Sequence, residues 1–333
     1  MGISSEENIG RATAKANTNI ALIKYWGKRD EKLFLPMNSS LSITLDRFYT
    51  ITTVEFSGEF DKDFFILNNK IADKEQSQKV FIFLDKLRKI AGKNIPARVT
   101  SENKVPTAAG FASSASGFAA LAAAGSKAIG LELSKRELSI LARQGSGSAC
   151  RSVYGGYVEW QKGEKADGED CYAKQLLSED SWNISILSVL IQSEPKKLSS
   201  RVGMKLTVET SPFYSGWLNT VDKDLEKAKE AIRYQDFNRL GKVMEKNALK
   251  MHATMLGAEP PVLYWQKGTM EVIQGVQNLR ENGVLAYFTI DAGPNVKVLC
   301  LPEEEHIVKE ALLKLSSVKE VIVCHPGAGI IYL

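Results

Sequence analysis

Cysteine and histidine are scarce in this chain: four of the one and three of the other among 333 residues. Cys150, Cys171, Cys300 and Cys324 show no C-x-x-C spacing and no metal-type pairing with His252, His306 or His325. Neither a metal-binding module nor a disulfide framework is therefore expected, and reduced thiols in a cytoplasmic protein are the plain expectation. Long apolar runs are missing too. No segment approaches the length that crosses a bilayer, and the opening MGISSEENIG lacks the basic and apolar regions of a secretory signal. Neither sign of charge is in large excess, since 43 Lys and Arg against 39 Asp and Glu leave a net +4. With no Lys/Arg stripe carrying interleaved aromatics, nucleic-acid binding is not expected. What remains is an ordinary globular composition, 44% hydrophobic and 25% charged. The length suits two domains, and without a linker between them they are expected to share a cleft.

Against that background the stretch VPTAAGFASSASGFAALAAAG, Val105–Gly125, stands out for its small side chains. Gly110 and Gly117 allow a large group to lie against the backbone, and the alanine-rich continuation favours helix. A serine-rich loop opening into a helix N-terminus presents unpaired N–H groups and a positive dipole end, which suits phosphate. The Gly-Lys-Ser/Thr ending of a Walker loop is absent.

The rest alternates strand and helix. Leu41–Leu45, Thr50–Phe56, Phe64–Leu67, Ala97–Ser101 and Tyr157–Trp160 read as strands. Gln78–Ile90 reads as a helix, and Ser134–Glu137 as a capping box opening another that Gly145 stops. After the apolar run Ile184–Ile191, helices are expected at about 215–234, 237–255, 269–282 and 303–315. Strands are expected at 285–290, 296–301, 321–324 and 330–333. This is an α+β pattern, divided near residue 190 into 1–190 and 191–333.

Four segments gather polar groups without surface-like spacing: Asn17–Lys28, Ser146–Arg151, Leu198–Arg201 and the turn opened by Asp291. Lys24, Lys28, Arg151 and Arg201 suit carboxylate and phosphate oxygens, because guanidinium forks and ammonium groups make charge-assisted bonds. Asp291 is an acid in a Gly-Pro turn from which a carboxylate could reach a substrate hydroxyl.

The segments NIALIKYWGK, PMNSSLSITL, PTAAGFASSASG, SGSACRS, GMKLTVETSPFY and YFTIDAGPN together resemble the diphosphomevalonate decarboxylase family, a branch of the GHMP kinase superfamily. The resemblance runs from about Ala12 to the C-terminus. It implies an N-terminal ATP-binding domain like the second domain of ribosomal protein S5 and a C-terminal ferredoxin-like α/β sandwich. The reaction it implies is ATP-dependent decarboxylation of mevalonate 5-diphosphate to isopentenyl diphosphate, in the mevalonate pathway of isoprenoid biosynthesis, with Mg²⁺ on the nucleotide. It also implies a homodimer.

By the same resemblance, Pro106, Ala108, Gly110, Ser113, Ser114, Ser116 and Gly117 cradle the ATP phosphates. Tyr25, Trp26, Gly27 and Lys28 hold the substrate near its diphosphate. Ser146, Gly147, Ser148, Ala149, Cys150 and Arg151 line the substrate, joined by Ser199 and Arg201. Asp291, Lys24 and Arg151 are the expected catalytic residues, with no protein-bound metal. A kinase that stops at the 3-phosphate, and a decarboxylase that prefers the monophosphate, are the alternatives within this chemistry.

Overall fold

The computed structural model describes residues 8–105, 113–191 and 198–333. It opens with a long strand, β1 (Asn8–Ile23), followed by the hairpin β2 (Lys28–Asp30) and β3 (Leu35–Pro36), then β4 (Ser40–Ser57). Next come β5 (Phe64–Leu67), β6 (Lys70–Ile71), α1 (Lys74–Ala91), β7 (Ala97–Lys104), α2 (Ser113–Ala128) and α3 (Lys135–Arg143). A 3₁₀ helix, Gly147–Val153, leads to β8 (Tyr157–Trp160), β9 (Ala173–Leu177) and β10 (Ser185–Leu190). The helices α4 (Ser200–Thr210), α5 (Tyr214–Arg233), α6 (Phe237–Leu256) and α7 (Lys267–Glu281) precede β11 (Ala286–Ile290) and β12 (Val296–Cys300). The chain ends with α8 (Glu305–Leu313), β13 (Glu320–Cys324) and β14 (Ile331–Tyr332).

Two sheets organise the molecule. The first runs β14-β1-β4-β7-β5-β6, with β8 on β4 and β9 on β8. The two short strands expected at 41–45 and 50–56 are one strand. β4 pairs with β8 through Ser40–Ile43 and with β7 through Tyr49–Phe56. Its pairing with β1 jumps register between Asn17 and Asn19, which absorbs residues 45–48. The second sheet, β11-β12-β10-β13, is antiparallel. Its β-helices-β-β-α-β chain order is that of a ferredoxin-like sandwich. Residue 190, the expected break, is the last residue of β10 in this second sheet, whereas β14 returns to pair with β1.

Local chemistry explains the helix ends. Ser134 and Glu137 form the expected capping box on α3. Asp73 caps α1 through the Gln76 N–H, and Gly92 ends it in the left-handed region. The alanines of α2 are fully or almost fully buried, and Gly125 meets Leu87 of α1 so closely that a Cβ would lie 2.5 Å from its methyl. Beyond its first turn, then, the small-residue stretch serves close packing of α2 between sheet and neighbouring helices. The largest apolar core joins Ile20, Leu22, Ile23, Leu41 and Ile43 to Trp217, Val221, Leu225, Met244 and Met251. α5 and α6 of the second unit thus pack on β1 and β4 of the first, and burial of this size resists separation of the halves. Where they meet, the loop after β1, the 3₁₀ helix and the β11–β12 turn converge.

Candidate active site

Lys24 lies just beyond β1, in a loop stretched between the two halves. Its backbone N–H donates to Asn247 Oδ1 on α6 at 2.9 Å, and its carbonyl accepts from Asn38 Nδ2 at 2.8 Å. Asn247 in turn donates to Asp224 of α5, whose charge Lys250 neutralises. The side chain is therefore aimed from a fixed backbone. Its Nζ donates to Ala21 O at 2.9 Å and to Asp291 Oδ1 at 2.6 Å. Lys24 is 2% exposed at its side chain, whereas Asp291 is 37% exposed and opens onto the cleft.

Burial alone would raise the Asp291 pKa, but Lys24, then Lys297 and Arg151, hold it below the ordinary carboxylate range. Asp291 is an ionised acceptor facing a cavity. For Lys24, burial outweighs the pull of Asp291 and lowers its pKa from the usual ammonium value.

Arg151 is the unusual group here. It is 3% exposed, yet it hydrogen-bonds neutral side chains: Nε donates to Asn19 Oδ1 at 3.1 Å and Nη1 to Ser40 Oγ at 2.6 Å. Asn19 is itself fixed by donating to Ser148 O and Ser152 Oγ. Asp291 acts on this buried guanidinium through space and not through a hydrogen bond, and an anionic ligand bonded to it directly would complete it. Tyr25 beside it has a buried hydroxyl with no hydrogen-bond partner among the described residues, and its ring meets Trp160 edge-on at 4.7 Å.

These groups line a cavity of about 580 Å³ together with Trp26, Lys28, Ser114, Ser146, Gly147, Ser148, Ser199 and Arg201. Ser146 Oγ lies 3.3 Å from Ser114 Oγ on the first turn of α2. Two hydroxyls and the first turn of a helix therefore coincide at the cavity. The cations Lys28 and Arg201, which also line it, come from different halves of the chain. The arrangement can take up a polyanion, orient a hydroxyl at Asp291, and pair a carboxylate with Arg151.

Residues 16–173 match the family model of the diphosphomevalonate decarboxylase-like N-terminal domain, and residues 186–328 that of the mevalonate 5-diphosphate decarboxylase C-terminal domain. The Homo sapiens diphosphomevalonate decarboxylase is 39% identical over 321 residues, 90% of this chain and 79% of that protein. The chain belongs to the diphosphomevalonate decarboxylase family. Its fold superposes on the mevalonate diphosphate decarboxylase from Enterococcus faecalis with a TM-score of 0.91 and 48% identity, over 97% of this chain and 99% of that one. A structure of MDDEF in complex with MVAPP, AMPPCP and magnesium gives the same TM-score, identity and coverage.

Set against this family, the expected site residues sort into three groups. Lys24, Tyr25, Trp26, Lys28, Ser146, Gly147, Ser148, Arg151, Ser199, Arg201, Ser114 and Asp291 all border the cavity. Pro106, Ala108 and Gly110 lie outside the described residues. The rest play other parts. Ser116 is fully buried and hydrogen-bonds Thr50 Oγ1 of β4 at 2.8 Å, so its hydroxyl serves the sheet and not a phosphate. Ala149 and Cys150 are fully buried in the packing around the 3₁₀ helix. The Cys150 thiol donates to Gly147 O, and burial pushes its pKa up. Gly27 acts through its backbone: φ is +103° and a Cβ would lie 2.0 Å from Tyr214 Oη. Ser113 and Gly117 sit on the first turns of α2 without bordering the cavity. Ser199 also caps α4 through the Val202 N–H.

Sequence reasoning missed Asn19, Ser40, Asn38 and Asn247, which hold Arg151 and Lys24, and the cavity residues Phe34, Glu75, Lys79 and Ser200. The run of polar residues Asn17–Asn19 inside an apolar segment was a legible signal for the first. Glu75 and Lys79, an i,i+4 ion pair at 2.7 Å, look like any solvated helix face.

Proposed function

We propose that this cleft phosphorylates the tertiary 3-hydroxyl of mevalonate 5-diphosphate from Mg-ATP and then expels phosphate and CO₂ to leave isopentenyl diphosphate. One observation carries the reading: an ionised Asp291, paired with buried Lys24, shares a cavity with Arg151, a buried guanidinium that hydrogen-bonds the neutral side chains of Asn19 and Ser40. A hydroxyl-orienting carboxylate beside a carboxylate receptor is what phosphorylation and decarboxylation of a hydroxy acid both require.

A tertiary alcohol is a far weaker acid than a carboxylic acid with a reference pKa of about 3.9, so full deprotonation by Asp291 before attack would be steeply uphill. Phosphoryl transfer passes through a loose transition state in most analyses, and the nucleophile needs orientation and late proton acceptance. Asp291 supplies both, and Lys24 keeps it ionised. In the second stage positive charge grows on the tertiary carbon while the substrate carboxylate releases its electrons. Arg151 fixes the direction of that carboxylate. Its anchoring by Asn19 and Ser40 keeps the guanidinium in place instead of letting it follow and stabilise the ground state.

Lys28, Arg201 and the Tyr25 hydroxyl suit the diphosphate, and Ser146 and Ser148 the body of the substrate. Ser114 and Ser146 are the hydroxyls best placed for the nucleotide phosphates. Among the described residues no group of three or more His, Cys, Asp or Glu side chains could hold a metal. Mg²⁺ would be carried mainly by phosphate oxygens and water, where it would offset the repulsion between the assembled anions. Four free, buried cysteines support a reducing compartment such as the cytoplasm. No helix among the described residues is long and apolar enough to cross a membrane. We extend the reading to a homodimer, checked by sedimentation.

The test supplies mevalonate, its 5-phosphate and its 5-diphosphate in turn with Mg-ATP and follows ADP and CO₂ together. Equal release of both from the diphosphate is expected. ADP without CO₂ would identify a kinase that stops at the phosphorylated product.

A further inference from the structure

Phe34 sits at the tip of the β2–β3 hairpin with φ +55°, inside the left-handed region that bulky side chains avoid. The other non-glycine residues with positive φ among those described are Asn68, Asn69 and Gln235, so Phe34 is the aromatic exception. The hairpin is fastened on every side. Asp30 accepts from the N–H groups of Lys32 and Leu33, Arg143 donates to Leu33 O at 3.1 Å, and Leu35 is buried. A conformation so held against its own preference points to a use for the ring.

The ring borders the cavity and gathers two cations. Lys28 Nζ lies 4.6 Å from its centroid and the Arg201 guanidinium carbon 5.3 Å from it. Both distances are within cation–π range. Lys28 belongs to β2 in the first half of the chain and Arg201 to the first turn of α4 in the second. Two like charges would not otherwise be drawn together; the quadrupole of the ring they share offsets their repulsion. Exposed Glu31 pairs with Lys28 at 2.5 Å, a bond that an incoming phosphate can replace.

We infer that Phe34 determines specificity at the substrate end of the cleft: its ring sets Lys28 and Arg201 as a two-cation receptor matched to a diphosphate and poorly matched to a monophosphate. This rests on the reading of the cleft as the site for mevalonate 5-diphosphate. A diphosphate spreads its charge over two phosphoryl groups and can engage both cations at once. A monophosphate has one group to offer and gains little from their pairing. Phe34 is a positioning residue and takes no part in bond making.

The experiment measures kcat and KM of the full chain, with Mg-ATP saturating, for mevalonate 5-diphosphate and mevalonate 5-phosphate. Wild type is compared with Phe34→Leu, Phe34→Gly and Phe34→Tyr. Glycine tolerates the positive φ, so F34G removes the ring without asking the hairpin to refold, and a thermal melt checks that it is folded. For F34L and F34G the expected result is a rise of about tenfold in KM for the diphosphate, about 1.4 kcal/mol. The accompanying change in kcat should be smaller than threefold. The preference for diphosphate over monophosphate falls by about the same tenfold factor, and F34Y restores it. A diphosphate KM unchanged in folded F34L and F34G overturns the inference, as does an equal loss on both substrates. Wild type that turns over neither substrate overturns the reading of the site and this inference with it. Wild type active on the diphosphate, with variants that match it, overturns this inference alone.

Discussion

Replacing Asp291 with Asn keeps the shape of the side chain and removes a single negative charge from among Lys24, Lys297 and Arg151, all buried. The group left stranded is Lys24, with its ammonium 2.6 Å from the former carboxylate and 2% exposed. Removing one partner of a buried pair costs about 3–5 kcal/mol. Because Asp291 is 37% exposed, cleft water can solvate the stranded ammonium in part, and we expect the lower end, about 3 kcal/mol.

The deficit carries a pH signature. Burial lowers the Lys24 pKa and Asp291 opposes that, so losing Asp291 lowers it further. A base whose folded pKa lies below its unfolded value of about 10.4 is more protonated in the unfolded chain across that window, and stability then rises with pH. The D291N deficit should be largest at the acid end of this window and shrink as pH rises toward the unfolded value of about 10.4. In wild type the Asp291 contribution is lost only as pH falls through its lowered pKa, below about 3.9. Urea unfolding of both proteins at pH 6, 7.5 and 9 measures this, alongside ADP and CO₂ release, where a kcat lower by about 10²–10⁴ is expected. Equal stability at pH 6, or a deficit that widens with pH, would refute the electrostatic account of the site.

Three further outcomes are expected. Arg151→Gln should lower kcat/KM for mevalonate 5-diphosphate by about 10–150-fold, the weight of about 1.5–3 kcal/mol for bonds to a charged group. The KM for ATP should hardly move, and equal weakening of both substrates in steady-state assays would mean Arg151 is misassigned. Asn247→Ala leaves the buried Lys24 N–H without its acceptor, so stability should fall by about 1–3 kcal/mol. kcat should fall with it, while the melting shift produced by Mg-ATP persists; an unchanged kcat would show that Lys24 needs no such anchor. Chelation by EDTA should stop turnover and leave the melting temperature of the ligand-free protein unchanged, and a drop in that temperature would reveal a structural metal.

The proposed catalytic constellation was legible because its members are chemically odd where they stand: Lys24 in an apolar run, Arg151 after a helix stop, Asp291 in a Gly-Pro turn. The folded chain brings all three to one cavity. The strand β1 was not legible, since Asn17, Thr18 and Asn19 break its apolar pattern; these residues are buried, and the two asparagines reach long-range partners, Ala328 for Asn17 and Arg151 for Asn19. Ser116 looked like a phosphate hydroxyl because its neighbours are serines, but its partner Thr50 lies on a strand 66 positions away. The helix α4 was hidden behind its own cap: Ser199 stood out as a hydroxyl for substrate, and the strand-like alternation of Val202, Met204, Leu206 and Val208 masked eleven helical residues. Local chemistry identified which side chains were special, and tertiary pairing decided what each one touches.

The most direct test is a crystal structure of the full chain with mevalonate 5-diphosphate, a non-hydrolysable ATP analogue and Mg²⁺. The account places the 3-hydroxyl within about 2.6–3.2 Å of an Asp291 carboxylate oxygen, the substrate carboxylate on Arg151, and the diphosphate on Lys28 and Arg201. A substrate bound the other way round, with its diphosphate on Arg151 and its 3-hydroxyl turned from Asp291, would contradict it.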